Sequence, residues 1–136
     1  MKIIGFKFRK INIEKKSDSL KGIKLSTKID VLNITSAKNS ILKGDEDLLK
    51  IDFMYNIKYD PVANIELGGM LLLSMEQSKA KEILLGWKDK KMDENFKIDL
   101  FNVILRKANV KALELEDEMN LPLHIPFPTL KKPKKE

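Results

Sequence analysis

Apolar and polar residues alternate with a period of two along four stretches in the first half of the chain. The cleanest alternation lies in the third stretch, where every second residue is apolar: Leu49, Ile51, Phe53, Tyr55, Ile57 and Tyr59. Successive side chains of a strand point to opposite faces, so this pattern predicts a strand with one buried face. Four such stretches in a row predict a four-stranded sheet.

The first and second stretches vary this pattern. In the first stretch, the apolar positions change face near residues 9–10, which predicts a bulge or a bend. In the second stretch, residues 23–31 alternate regularly and should leave one face of the strand in contact with water. A short connection containing Pro61 joins the third stretch to the fourth. Because proline suits a turn and disrupts a strand interior, this connection predicts an antiparallel hairpin.

The fourth stretch, residues 65–73, is apolar on both faces. Met70 and Leu72 make the second face apolar, so helices, a sister subunit or a client polypeptide must cover it. We expect that a single subunit cannot hide all of this apolar surface. Gly68 and Gly69 lie inside the stretch, and glycines there predict the close approach of another backbone or of a bulky side chain.

Steps of three and four residues replace the alternation after residue 75. A first apolar stripe predicts a short amphipathic helix and consists of Ala80, Ile83, Leu84 and Trp87. A second stripe predicts a longer helix and consists of Ile98, Phe101, Leu105, Ala108, Ala112 and Leu115. Asp93 or Asp99 is available to cap the start of this second helix, which should end near residues 119–120.

Prolines punctuate the apolar segment that follows the second helix. Pro122, Pro126 and Pro128 force an extended backbone, and the apolar residues between them predict docking against the sheet or a partner. The predicted fold class is therefore α+β, with a four-stranded antiparallel sheet followed by two helices and an extended C-terminal segment. We expect one domain over residues 1–128 and a basic, lysine-rich tail over residues 129–136.

Composition narrows the class of protein. The chain has 136 residues, of which 43% are hydrophobic and 34% charged, as expected for one globular domain with its own core. The sequence has no cysteine, which excludes disulfides and thiolate metal sites. The start of the chain lacks an export signal, and no uncharged run approaches the roughly 18 residues of a membrane span. We therefore expect a cytoplasmic protein without membrane insertion.

The net charge of +6 comes almost entirely from lysine, because Arg9 and Arg106 are the only arginines. Lysine attracts anions diffusely, whereas specific recognition of phosphates favours the arginine fork. A basic accessory protein of the ribosome or of another RNA particle is still one hypothesis for this chain. Stacking of bases on the sheet is disfavoured, because Phe53, Tyr55 and Tyr59 share the apolar face that a core would use.

Few residues offer catalytic chemistry. His124 is the only histidine, and no Asp or Glu lies within five residues of it, so we expect a surface or partly packed histidine and not a metal ligand. The serines occur in no nucleophile-elbow pattern, and the glycine pair at residues 68–69 is not part of a phosphate-binding loop. We therefore expect no enzymatic activity, no metal and no cofactor.

Three short motifs resemble the SecB family of export chaperones, whose subunits have a four-stranded antiparallel sheet followed by two helices. Residues 65–71, Ile-Glu-Leu-Gly-Gly-Met-Leu, resemble the fourth strand of the family. The Leu-Phe pair at residues 100–101, with Arg106 after it, resembles the start of the family's second helix. Residues 121–126 resemble its proline-containing C-terminal strand. Members that act in export are acidic, whereas this chain carries a charge of +6.

The resemblance implies a passive, ATP-independent holdase that keeps unfolded or nascent polypeptides from aggregating in apolar grooves. It also implies a homo-oligomer, in this family a dimer of dimers. We expect seven residues to line the groove or an interface between subunits, with ordinary core packing as the alternative for each: Met70, Leu72, Ile104, Leu113, Leu123, Ile125 and Phe127. Nucleic acid is the less favoured partner.

Overall fold

The computed structural model describes residues 1–37 and 46–133, which form four strands followed by two helices. In chain order, the elements are β1 Lys2–Lys15, β2 Lys24–Ala37, β3 Glu46–Asp60, β4 Ala63–Glu76, α1 Gln77–Lys88 and α2 Glu94–Glu118. After α2 the chain has no further helix or strand up to residue 133. The predicted α+β class and the predicted order of elements are confirmed.

The β3–β4 hairpin forms the centre of the sheet. The strand order is β1-β4-β3-β2, and every pair is antiparallel, so β1 and β2 are the two edges. The hairpin turn is closed by the Val62 N–H, which donates to the Tyr59 carbonyl at 2.7 Å, as the position of Pro61 predicts. The pairing of β1 shifts between Phe8 and Lys10, which confirms the predicted bulge.

One face of the sheet packs against both helices. The alternating apolar residues of β3 predicted from the sequence are all at most 2% exposed. Opposite them in β4 lie Ile65, Leu67, Leu71 and Leu73, which have no exposed surface. Ala80 and Ile83 of α1 and several residues of α2 belong to the same buried cluster. This face therefore holds the hydrophobic core.

The buried stripe of α2 differs from the predicted one. It repeats every fourth residue and consists of Phe96, Leu100, Ile104, Ala108, Ala112 and Glu116. Ile98, which was predicted to be buried, is 53% exposed. The two stripes share Ala108 and Ala112. The prediction completed its stripe with other large apolar residues, whereas the ridge that contacts the sheet ends at a glutamate, Glu116. The predicted cap is confirmed, because the Asp93 carboxylate accepts a hydrogen bond from the Phe96 N–H at 3.2 Å.

The second face of β4 is less open than predicted. Met70 is only 7% exposed and Leu72 is half-buried, so the expectation that one subunit cannot hide this face is wrong for most of the strand. Side chains of the neighbouring strands provide the cover. Arg9 Nη2 lies 3.1 Å from Met70 Sδ, and a Cβ atom on Gly68 would lie 3.0 Å from Met54 Cε.

Gly69 permits a close approach between the neighbouring strands β1 and β4. A Cβ atom at this position would overlap the carbonyl oxygen of Lys7 and would lie 3.0 Å from Phe53 Cζ. The predicted close approach of a backbone and a bulky side chain is therefore confirmed. This contact lies beside the bulge of β1, where Phe8 is paired with Gly69 in the sheet.

Large exposed apolar side chains lie away from the centre of the sheet. Three are on the edge strand β1, two on β2, three on the helices, three after α2 and two outside these elements: Ile3, Ile4, Ile11, Leu25, Leu32, Leu85, Ile98, Val110, Ile125, Phe127, Leu130, Met1 and Leu20. The surface available for contacts is thus at the strand edges, on α2 and on the segment after it.

Candidate functional site

The residues that follow α2 fold back against that helix, beside its buried ridge. We call residues 121–127 the C-terminal segment. An open groove of about 570 Å³ separates this segment from α2, and we call it the C-terminal groove. Its lining consists of Val110, Leu113, Glu114 and Asp117 from α2 and of Leu123 and Phe127 from the C-terminal segment.

Three of the seven predicted residues meet in this groove. Leu113 belongs to the helix wall, and Leu123 and Phe127 form the opposite wall. Ile125 lies on the same segment and is 36% exposed. The groove also contains Val110, which is 67% exposed and which the sequence analysis did not select. Single exposed apolar residues are ordinary, but four that line one groove form a contiguous apolar patch.

The other three predicted residues lie elsewhere. Ile104 belongs to the buried ridge of α2 and has no exposed surface in the subunit. Met70 and Leu72 belong to β4. They lie on the face of the sheet that points away from the helices, and the groove is not on that face. The structure therefore brings Leu113, Leu123 and Phe127 together in the groove and places the other four predicted residues outside its lining.

A second hollow continues the C-terminal groove toward β1. It measures about 270 Å³ and is lined by Phe8, Arg106, Lys107, Val110, Lys111 and Glu114. Val110 and Glu114 belong to both hollows, so the two form one band along α2. The rim changes sign along this band, from acidic beside Asp117 to basic beside Arg106. Lys111 Nζ and Glu114 Oε2 form an ion pair of 3.0 Å at the junction.

A buried polar network fixes the C-terminal segment to α2. His124 Nδ1 lies 2.7 Å from Glu116 Oε1, and the His124 backbone N–H donates to Glu116 Oε2 at 3.2 Å. On its other side, His124 Nε2 lies 2.8 Å from Asn109 Oδ1, which also accepts from the Tyr55 hydroxyl at 2.8 Å. The network therefore links β3, α2 and the segment that forms one wall of the groove.

Burial controls the protonation of this network. The side chains of Glu116 and His124 are only 0% and 3% exposed. Burial raises the pKa of the Glu116 carboxyl, while the hydrogen bonds and charge of His124 act in the opposite direction. Burial, and secondly the charge of Glu116, raise the pKa of Tyr55 to about 12, so its hydroxyl keeps its proton and remains a donor.

The interpretation of His124 as a surface or partly packed residue holds for the residue as a whole, which is half-buried, but not for its side chain, which is 3% exposed. Its ring is buried, and its partner Glu116 lies eight residues earlier, outside the window in which the sequence was searched. A signal was present in the crowding of acidic residues in the last turns of α2. Acids are unfavourable at the negative end of a helix dipole, so one of them had reason to have a specific partner.

The sheet aromatics are not available to stack on nucleic-acid bases. Phe53, Tyr55 and Tyr59 are 1%, 2% and 0% exposed, as the alternation predicts. Among residues 1–37 and 46–133, no group of three or more histidine, cysteine or carboxylate side chains could hold a metal ion. No helix in the described part of the chain is long and apolar enough to cross a membrane.

Comparisons with known proteins give similarity to solved structures and none to known sequences. No family model matches the chain, and no curated protein matches its sequence. The solved structures include the SecB-like chaperone Rv1957 of Mycobacterium tuberculosis, in complex with a ChAD peptide from the HigA1 antitoxin, to which this chain is similar. The TM-score is 0.49 and the identity 12%, over 98% of this chain and 92% of the other. These values carry no inference about what this chain binds.

Two buried tyrosines allow the network to be tested. Tyr55→Phe removes the hydroxyl that donates to Asn109, and we expect it to lower the free energy of unfolding by about 1 kcal/mol. Tyr59→Phe is the matched control, because the Tyr59 hydroxyl is buried without a partner among the described residues. This second change should leave stability equal or slightly higher. Urea unfolding of both variants measures the difference, and equal losses would contradict the network.

Proposed function

We propose that this chain is an ATP-independent holdase that binds unfolded or nascent polypeptides in the C-terminal groove. The observation that supports this proposal is the convergence of Val110, Leu113, Leu123 and Phe127 in one open, apolar groove. Unfolded chains expose apolar side chains that folded proteins hide, and burying each one in such a groove is favourable. No nucleotide is needed for capture of this kind.

The shape of the site suits clients of many sequences. The C-terminal groove and the neighbouring hollow share Val110 and Glu114, so an extended polypeptide can follow the band along α2. An extended chain places alternate side chains on one side, where successive apolar hollows can receive them. Both signs of charge lie along the rim, so neither acidic nor basic clients face a uniformly repulsive surface.

We also propose that the chain forms a dimer of dimers, in which pairing of two β1 edge strands provides one of the two kinds of interface. An edge strand presents unpaired backbone groups, and β1 adds exposed apolar side chains at Ile3, Ile4 and Ile11. Pairing of two such edges covers both the backbone and the apolar residues. The C-terminal groove lies on the outer side of α2 and can remain open in that arrangement.

The groove is tested by removing its two most exposed apolar side chains. Val110→Ser combined with Phe127→Ser should weaken suppression of the aggregation of a chemically denatured protein by about tenfold or more, because each substitution removes apolar contact with the client. The assay contains no nucleotide and compares the concentrations that give half-maximal suppression. Circular dichroism checks that the variant is folded.

Leu32→Ser is the matched control for the groove variant. Leu32 is 54% exposed, close to the 56% of Phe127, but it lies on β2 and away from the groove. The control should suppress aggregation as the unaltered protein does. Equal losses in the control and the groove variant would show that apolar surface in general is responsible, and an unaltered protein without any effect would reject the holdase proposal.

The subunit association has its own measurement. Analytical ultracentrifugation should give the unaltered protein a mass four times that of one subunit. Ile11→Lys should lower this mass, because it places a charge at the paired edge. Leu25→Lys, at a residue 45% exposed on the other edge, is the control for Ile11, which is 48% exposed. A monomer at all concentrations, or equal effects of both substitutions, would contradict association through β1.

A further inference from the structure

Glu116 is a buried carboxylate that capture of a polypeptide does not itself require. It has no exposed surface, and all the polar partners described for it beyond its own helix come from the C-terminal segment. The Leu121 N–H donates to its backbone carbonyl at 2.9 Å, and both carboxylate oxygens bond to His124. One residue of α2 thus holds the segment at two positions, three residues apart.

We propose that Glu116 and His124 form a proton-dependent lock that holds the C-terminal segment against α2 and so sets one wall of the C-terminal groove. The role of the groove in this inference rests on the proposed function, whereas the lock can be measured in the protein without any client. The segment residues Leu123 and Phe127 lie on either side of His124 and form the wall opposite α2. Release of the segment would therefore remove half of the apolar lining.

We assign two protons to the closed lock from the contacts of His124 with Asn109 and Glu116. Asn109 Oδ1 accepts the proton of the Tyr55 hydroxyl, so an oxygen and not an amino group faces His124 Nε2 at 2.8 Å. A hydrogen bond at that distance requires a proton on Nε2. A second proton lies between His124 Nδ1 and Glu116 Oε1, which are 2.7 Å apart. The closed pair therefore holds two protons.

The open pair holds fewer protons. In water, a glutamate is ionised and a histidine is neutral above its ordinary value of about 6.5, so the released pair holds one proton. Closing then takes up one proton, and a rise in pH favours the open segment. The raised pKa of Glu116 acts in the same direction. Protonated Glu116 stabilises the closed segment at low pH, and this stabilisation is lost as the pH rises through the raised pKa.

Other charged groups around the pair do not replace this proton. Tyr55 approaches from β3 and keeps its own proton, because its pKa is raised to about 12. Lys15 approaches from β1, where its Nζ donates to the Met119 carbonyl at 3.0 Å and pairs with Asp18 at 3.2 Å. Asp117 and Glu118 of α2 are exposed to solvent. The pair is thus the buried titratable contact between the segment and α2.

A buried ion pair is suited to a lock more than to simple stabilisation. Its net contribution to stability is small, since the loss of hydration offsets much of the attraction between the charges. Loss of one partner is costly, because the other charge remains buried without a partner. The segment should therefore respond sharply to removal of one member and only weakly to replacement of both by apolar residues.

Hydrogen exchange of single amides tests the lock in the full chain without a client. The His124 N–H bonds to Glu116 Oε2, so its protection factor, corrected for intrinsic exchange, reports the closed state. We expect this protection to fall as the pH rises, because closing takes up a proton and burial raises the pKa of the Glu116 carboxyl. The Met119 N–H, bonded to the Leu115 carbonyl in the last turn of α2, is the internal control and should not change.

Two variants separate the lock from a general loss of packing. His124→Leu leaves Glu116 buried without its partner, and we expect the amides at positions 121 and 124 to lose protection at every pH. The double variant Glu116→Leu, His124→Leu should restore protection at Leu121 and remove its dependence on pH. Protection of the His124 amide that is independent of pH in the unaltered protein, or a double variant no better protected than the single one, would overturn the lock.

The aggregation assay tests separately whether the lock affects binding of polypeptides in the groove. If the lock controls the groove, His124→Leu weakens suppression of aggregation and the double variant recovers it. If exchange shows the lock but His124→Leu suppresses aggregation normally, the link to the groove is overturned and the lock itself stands. Loss of suppression in the double variant despite a protected segment would likewise overturn the link.

Discussion

The arrangement of this subunit depends on one contact, the packing of α2 against the sheet through every fourth residue from Phe96 to Glu116. An α-helix turns by slightly less than a full circle in three residues and slightly more in four, so this ridge drifts slowly around the helix axis. At its end, the ridge buries a carboxylate instead of an apolar side chain. The same rotation directs Val110 and Leu113 outward.

The groove follows from that rotation. Glu116 points into the subunit and receives His124, so the chain after α2 turns back along the helix, and Leu123 and Phe127 face Val110 and Leu113. Apolar surface remains open there because the second wall is a single segment without helix or strand structure, which covers less area than a helix or a sheet would. The return of the chain along α2 therefore produces both the buried polar network and the exposed apolar groove.

Much of the sheet could be predicted from local patterns. The period-two alternation identified β3, the change of face near Arg9 identified the bulge, and the paired glycines identified the close approach of β1 to β4. These features depend on residues near one another in sequence. The cover over Met70 could not be predicted in this way, because it depends on the register that places Arg9 and Met54 beside β4.

The candidate site was only partly predictable for the same reason. Leu113, Leu123 and Phe127 were selected as apolar residues, but nothing local indicates that Val110 belongs with them or that Ile104 is sealed in the core. That distinction depends on which face of α2 contacts the sheet, and the predicted apolar stripe placed the wrong face there. His124 needed a partner in another element, and a histidine's neighbours in sequence do not reveal one.

Site-specific photo-crosslinking tests the central claim most directly, since it asks where an unfolded polypeptide touches the subunit. A photoreactive residue would replace Val110 in one sample and Leu32 in another, and each would be irradiated with the same denatured protein. The two side chains are 67% and 54% exposed, so both probes are accessible to solvent. The account predicts strong crosslinking from position 110 and little from position 32. Equal crosslinking from both positions, or none from position 110, would contradict it.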